Sequence, residues 1–274
     1  MIGQRELLKK MHGQIDRDRF PRFSILIGEK GSGKKTLIEN IAEYMQTPIA
    51  EVSPSVDDVR DAIEHSYKLV EPIIFVIADC DNMSSAAANA LLKVTEEPPQ
   101  KAYFILTCES LDNLLPTIKS RGVTYMLEPY TYEEKCDYLD TQPGFLKAEE
   151  MEFILEVASN IGEVKALYNM DIDEFKDYVD LVIDNIAEVS DSNAFKIGDK
   201  IALKNEADKY DLILFWKAFR AMCIDKMTLT DKDVLKYARA IAITGDYYSQ
   251  LRIKGINKQM LFDNWLIAIR EEWL

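Results

Sequence analysis

The residues Gly28 to Thr36, reading Gly-Glu-Lys-Gly-Ser-Gly-Lys-Lys-Thr, have the composition of a loop that wraps a phosphate. Its candidate binding residues are Gly28, Gly31, Ser32, Gly33, Lys34, Lys35 and Thr36. The glycines let backbone N–H groups turn inward around an anion, and a helix starting there adds the positive end of its dipole. Lys34 reaches the outer phosphates as a point charge. The residue after Gly33-Lys34 should be Ser or Thr, whose hydroxyl holds Mg²⁺. Here it is Lys35, and Thr36 comes one place late. The elements that must position this loop are both present. The apolar run Ser24–Ile27 reads as a strand before it, and Leu37–Ile41 reads as a helix after it.

A second chemical stretch is 75–81, Phe-Val-Ile-Ala-Asp-Cys-Asp. In a phosphate-loop ATPase a buried strand ends in an Asp that orders Mg²⁺, and a neighbouring acid polarises the attacking water. In this chain Ala78 stands where the metal-ordering Asp belongs, and Asp79 occupies the place of the catalytic acid. Two usual protein contacts to magnesium, at 35 and 78, are therefore absent. Catalysis of phosphoryl transfer is positioning and electrostatics, and losing a comparable element such as an arginine finger removes about 10³–10⁵ in rate. The expectation is weak binding of ATP or ADP through the backbone nest and Lys34, without useful hydrolysis, and with Asp79 a vestigial acid. The alternative is a working motor in which Thr36 and Asp79 substitute after a register shift.

The surrounding chain alternates strand and helix. Arg5–Asp18 is an amphipathic helix, Pro48–Val52 a short strand and Val56–Leu69 a helix. The unbroken apolar run Ile73–Ala78 is a strand buried on both faces. A helix capped by Ser84 ends at Pro98-Pro99. Ala102–Thr107 and Val123–Leu127 are further strands, and Leu111–Ser120 is helical in part. From Tyr132 onward only helical periodicity is found. Tyr132–Leu139, Ala148–Asn160 and Glu163–Asn169 form a small module, Asp171–Glu174 a polar join, and Phe175–Leu274 a third unit. The expected fold is α/β plus all-α. Its parts are a parallel-sheet phosphate-loop domain over 1–130, a helical lid over 131–172 and a C-terminal helical domain over 173–274.

The formal net charge is −14 over 274 residues. A protein whose main task is gripping a phosphate backbone is usually basic, so protein partners are expected, with direct DNA contact minor. The chain has no long apolar run and no signal peptide, which predicts a cytoplasmic protein without a membrane role. None of Cys80, Cys108, Cys136 and Cys223 forms a C-x-x-C pair, so no zinc site is predicted.

Four stretches occur in the order known from the AAA+ clamp loaders: 2–4 (Ile-Gly-Gln), the phosphate loop, 89–99 (Asn-Ala-Leu-Leu-Lys-Val-Thr-Glu-Glu-Pro-Pro) and 115–121 (Leu-Pro-Thr-Ile-Lys-Ser-Arg). The chain resembles that family over its first 125 residues or so. Its helical remainder agrees with the family's lid and collar in length and kind, with 255–265 similar to the last collar helix. The resemblance implies a subunit of a five-membered ring that opens a sliding clamp and loads it onto primed DNA for a replicative DNA polymerase III. It is nearest to the stator-like members, which implies other loader subunits as partners. It also makes Arg121 a finger offered in trans to a neighbour's ATP, with Ser120 its companion. Thr107 or Cys108 falls at the family's first sensor, and Lys165, after Gly162, near its second. Gly122 stands where the family usually has Cys. The four-cysteine zinc module of many relatives has no counterpart in the short, cysteine-free interval 45–56.

Overall fold

The computed structural model describes residues 2–112, 114–186, 201–202, 209–229, 233–251, 253 and 255–273. They divide into two compact units. The first comprises residues 1–142 with 160–162, and the second 143–159 with 163–274.

The first unit is a five-stranded parallel sheet covered by helices. Strands β1 (Phe23–Ile27), β2 (Ile49–Val52), β3 (Ile73–Ile77), β4 (Ala102–Cys108) and β5 (Val123–Met126) lie in the order β2-β3-β4-β1-β5. Their apolar runs are continuous because both faces are covered. On β1, β3 and β4, Phe23, Ile25, Ile27, Phe75, Ile77, Phe104 and Leu106 pack on one side with α3 (Val56–Ser66) and α4 (Ser85–Glu96). Leu26, Ile74, Val76 and Ile105 pack on the other, with α1 (Arg5–Ile15) and α2 (Lys34–Met45). The period-two alternation of strand side chains thus splits each run between two cores. Each fully buried side chain of this size contributes about 1.5–3 kcal/mol.

Local chemistry sets the helix ends. Ser84 caps α4 by accepting from the Ala87 amide, and Ser55 caps α3 by accepting from Asp58. The stretch 111–120 is helical only over α5 (Pro116–Lys119), with Pro at the first helical position. α1 stops at Ile15, short of the expected Asp18, which adopts a left-handed φ of 53°.

After β5 the chain continues through α6 (Tyr132–Asp140), α7 (Ala148–Val157), α8 (Ile161–Tyr168), α9 (Ile172–Asn185), α10 (Leu212–Leu229), α11 (Val234–Gln250) and α12 (Lys258–Trp273). The expectation of helix alone is corrected at one place. β6 (Ile201–Ala202) pairs in parallel with β7 (Tyr210–Asp211), and two-residue strands are too short to leave a periodic signal. The polar join at 171–174 is also corrected. Asp171 accepts from the Glu174 amide and starts α9, so the acids there are a cap and a first turn.

The core of the second unit is aromatic. Trp265 packs edge-on against Phe215 and Phe219, with ring centroids 5.8 and 5.1 Å apart, and its indole N–H donates to Thr244 Oγ1 at 3.0 Å. Lys217 on α10 forms a largely buried ion pair with Glu163 at 2.6 Å and also donates to Ser159 Oγ at 2.9 Å.

Candidate functional site: a phosphate loop and a tethered arginine

The loop leaves the C-terminal end of β1, where the Gly28 amide still donates to Cys108 O at 3.1 Å. Gly31 and Gly33 take φ of 84° and 91°, a region that only glycine occupies without strain. The loop's carbonyls are all engaged from Gly28 to Ser32. Lys34 Nζ donates to Gly28 O at 2.5 Å and to Glu29 O at 3.0 Å. The Asn160 side-chain amide donates to Lys30 O at 3.2 Å, the Gly162 amide to Gly31 O at 3.0 Å, and the Tyr130 hydroxyl to Ser32 O at 3.1 Å. With these carbonyls engaged elsewhere, the loop does not turn them toward a bound anion, which suits an anion nest.

Two further features fit a phosphate. The Ser32 hydroxyl is buried and has no hydrogen-bond partner, a costly arrangement that an anion would relieve. The first turn of α2, opening at Lys34-Lys35-Thr36, contains no acid.

Magnesium is not provided for. Lys35 Nζ is drawn away to Glu51 Oε1 on β2 at 2.9 Å, with 75% of the side chain exposed. The hydrogen bond to Glu51, and then its charge, raise the lysine's pKa further. A permanent cation therefore stands at the position of the metal-binding hydroxyl. Ala78 contributes no oxygen. Asp79 is exposed and sits at a left-handed φ of 52° just before a 3₁₀ turn, Cys80–Asn82. Its amide donates to Thr107 Oγ1 at 3.3 Å. Asp81 instead accepts from the Glu109 and Ser110 amides, tying down the loop after β4. Among the described residues no group of three or more His, Cys, Asp and Glu could hold a metal ion. Of the two candidates for the first sensor, Thr107 presents its hydroxyl to the strand end. Cys108 is buried, and desolvation, with the Asp81 charge adding, pushes its thiol up to about 12.

Arg121 lies at the opposite end of the strands. All five strands are parallel and β5 pairs with β1 at Val123↔Ser24. Arg121 therefore precedes the N-terminal end of β5, while the phosphate loop follows the C-terminal end of β1. The intervening strand length is roughly 15–20 Å, more than an arginine side chain spans. Arg121 donates through Nη2 to Glu96 Oε1 at 3.0 Å and through Nη1 to Thr117 O at 3.2 Å. The Ser120 hydroxyl donates to the same carbonyl at 3.1 Å. At Gly122, a Cβ would come 2.7 Å from Ile25 Cδ1. Ile25 thus fills the space where the family's cysteine side chain would lie.

The structure therefore brings Gly28–Thr36 and Asp79 to the C-terminal end of the sheet and sets Arg121 apart at the other end. Sequence reasoning missed Tyr130, Asn160, Glu51 and Glu96. It also missed why Gly3-Gln4 matters. The Gln4 side chain donates to Glu128 O at 2.7 Å and accepts from the Glu128 amide at 3.0 Å, fixing the segment that carries Tyr130. Tyr130→Phe is expected to release the Ser32 carbonyl at a cost of about 1 kcal/mol, or roughly fivefold in ADP affinity. Titration calorimetry would measure this, and unchanged affinity would show that the tether is not needed.

Comparison with known proteins gives a consistent resemblance. A family model described as DNA polymerase III, delta subunit, matches residues 51–131. DNA polymerase III subunit delta′ of Haemophilus influenzae is 32% identical over 120 residues, 42% of this chain and 36% of that protein. Subunit gamma/tau of Mycoplasma genitalium is 21% identical over 93% of this chain and 48% of its own length. The chain thus spans half or less of these curated relatives. Among solved structures, a gamma subunit-related protein from Thermotoga maritima aligns with a TM-score of 0.56 at 20% identity, covering 97% of this chain and 99% of that one. The fold is that of an AAA+ phosphate-loop domain with a helical C-terminal part, and the chain resembles clamp-loader subunits of the delta′ type. Among the described residues no helix is long and apolar enough to cross a membrane.

Proposed function

We propose that this chain is a non-catalytic, stator-like clamp-loader subunit of a DNA polymerase III complex. It acts in the cytoplasm within a hetero-oligomeric ring, helps load a sliding clamp onto primed DNA, and lends Arg121 to the ATP held by a neighbour. Its work divides among a nucleotide-binding-like domain (1–130), a lid (131–172) and a collar (173–274) that joins it to the other loader subunits. Direct contact with DNA is minor, in keeping with the charge of −14.

The observation that carries this reading is the separation between the two ends of the strands. Arg121 stands a strand's length from the chain's own phosphate loop, so its guanidinium serves a phosphate only on another subunit. A cation supplied in trans stabilises charge spreading over the γ-phosphate oxygens. The chain's own loop has the nest and Lys34 to hold ATP or ADP weakly. Magnesium would normally neutralise β- and γ-phosphate charge there, and with Lys35 turned to Glu51 and Ala78 at the strand end the residues do not fit it.

The second reading, an active motor subunit, draws on the well-formed loop and the exposed Thr36 and Asp79. Purified protein with ATP and Mg²⁺ separates the two. No turnover above buffer is expected from the wild type, and restoring Lys35→Thr with Ala78→Asp is the positive comparison. Robust wild-type turnover would defeat the stator reading.

A further inference from the structure

We propose that Glu96 is the positioning residue for Arg121, holding its guanidinium ready before a neighbouring subunit docks. This rests on the reading of Arg121 as a finger given in trans. The contact itself stands on the geometry alone.

Glu96 is the last residue of α4, and Arg121 comes next after Ser120, the residue that caps α5. The two meet Nη2 to Oε1 at 3.0 Å, while Nη1 is held by Thr117 O at 3.2 Å. One terminal nitrogen is thus fixed by a carboxylate on a different element and the other by the arginine's own turn. A guanidinium carries five N–H donors, so most remain to grip an incoming phosphate.

The platform is anchored. The Tyr67 hydroxyl donates to Glu97 O at 2.9 Å, and Lys93 Nζ lies 4.9 Å from the Tyr67 ring centre. Pro98 and Pro99 end the helix just beyond. An acid in the last turn of a helix faces the negative end of the dipole, a local cost of about 0.3–1 kcal/mol. Glu96 bears that cost and meets the arginine.

The pair is too exposed to be there for stability. Arg121 is 36% and Glu96 57% exposed, and such pairs are worth about 0–1 kcal/mol. The effect is on freedom instead. A free arginine side chain has about 2 kcal/mol of rotamer entropy to lose on meeting a ligand, and the tether removes part of that loss in advance.

The test uses the ring reconstituted from this chain and its partner ATPase subunits, with Arg121→Ala measured alongside. Glu96→Ala is expected to lower kcat for ATP about tenfold, with KM within about twofold, since only transition-state positioning is lost. Glu96→Gln keeps an acceptor oxygen and is expected to recover most of the rate. A merely structural role would not produce that recovery. In the chain alone, the Arg121 side-chain ¹⁵N resonances should show slowed rotation in the wild type that Glu96→Ala abolishes. If kcat is unchanged in Glu96→Ala while Arg121→Ala is impaired, the positioning proposal falls and the finger remains. If Arg121→Ala is itself without effect, the finger reading falls and takes the proposal with it. Identical Arg121 resonances in wild type and Glu96→Ala would overturn the tether directly.

Discussion

Replacing Arg121 by alanine should lower ATP turnover by the assembled ring by about 10³-fold or more at the site it serves, within the range known for arginine fingers. The ring itself should still form. Arg121 is partly exposed, and its ion pair with Glu96 is exposed as well, so its removal costs the fold at most about 1 kcal/mol. The loss should fall on kcat, because the guanidinium acts on charge that develops as the phosphoryl group transfers. Lysine at 121 should rescue little, since it lacks the planar fork. Steady-state hydrolysis by rings carrying wild-type or variant chain, with assembly checked by size-exclusion chromatography, measures this. Unchanged turnover in an intact ring would remove Arg121 from the mechanism.

The second large effect concerns stability. Trp265→Ala should destabilise the helical C-terminal unit by about 3–5 kcal/mol. Trp265 is fully buried against Phe215, Phe219, Phe262 and Trp216, with its indole N–H on Thr244 Oγ1. Removing it leaves a large cavity. Thr244 keeps its donation to Ala240 O at 2.7 Å, so the loss is one of packing rather than of a stranded hydroxyl. Denaturant unfolding followed by tryptophan fluorescence is selective here, because all three tryptophans, Trp216, Trp265 and Trp273, lie in this part of the chain. A loss below about 1 kcal/mol would show that the unit does not depend on this cluster. The same variant separates this unit's core from its surface. A face used for contact in the proposed ring must present other residues, such as Leu235 and Met260, which are exposed.

The sheet was legible because burial on both faces leaves unbroken apolar runs, and 73–77 and 102–108 have no other reading. The phosphate loop was legible because its glycines and lysine are local in sequence and each has a chemical reason to be there. Less legible were features made by single contacts between distant residues. Tyr130 reaches Ser32 across 98 positions and Asn160 reaches Lys30 across 130. One hydroxyl or amide so far away has no periodicity and no spacing rule. Lys35 could be seen as a wrong residue for magnesium, but its turn toward Glu51 depends on β2 lying beside β3. The short pairing of β6 with β7 and the cap at Asp171 were missed for a different reason. Both are too brief for a pattern, and an acid-rich stretch reads equally as a linker or as the start of a helix.

The bracing of the phosphate loop by Lys34, Tyr130, Asn160 and Gly162 bears on how signals travel in a ring. A ligand shifts a conformational equilibrium only by its unequal affinity for the competing states. Scaffolding fixed by its own struts before any guest arrives has few states for a guest to choose among. In the proposed assembly this seat would keep the same shape whether full or vacant, giving the turning members of the cycle a steady surface to push against.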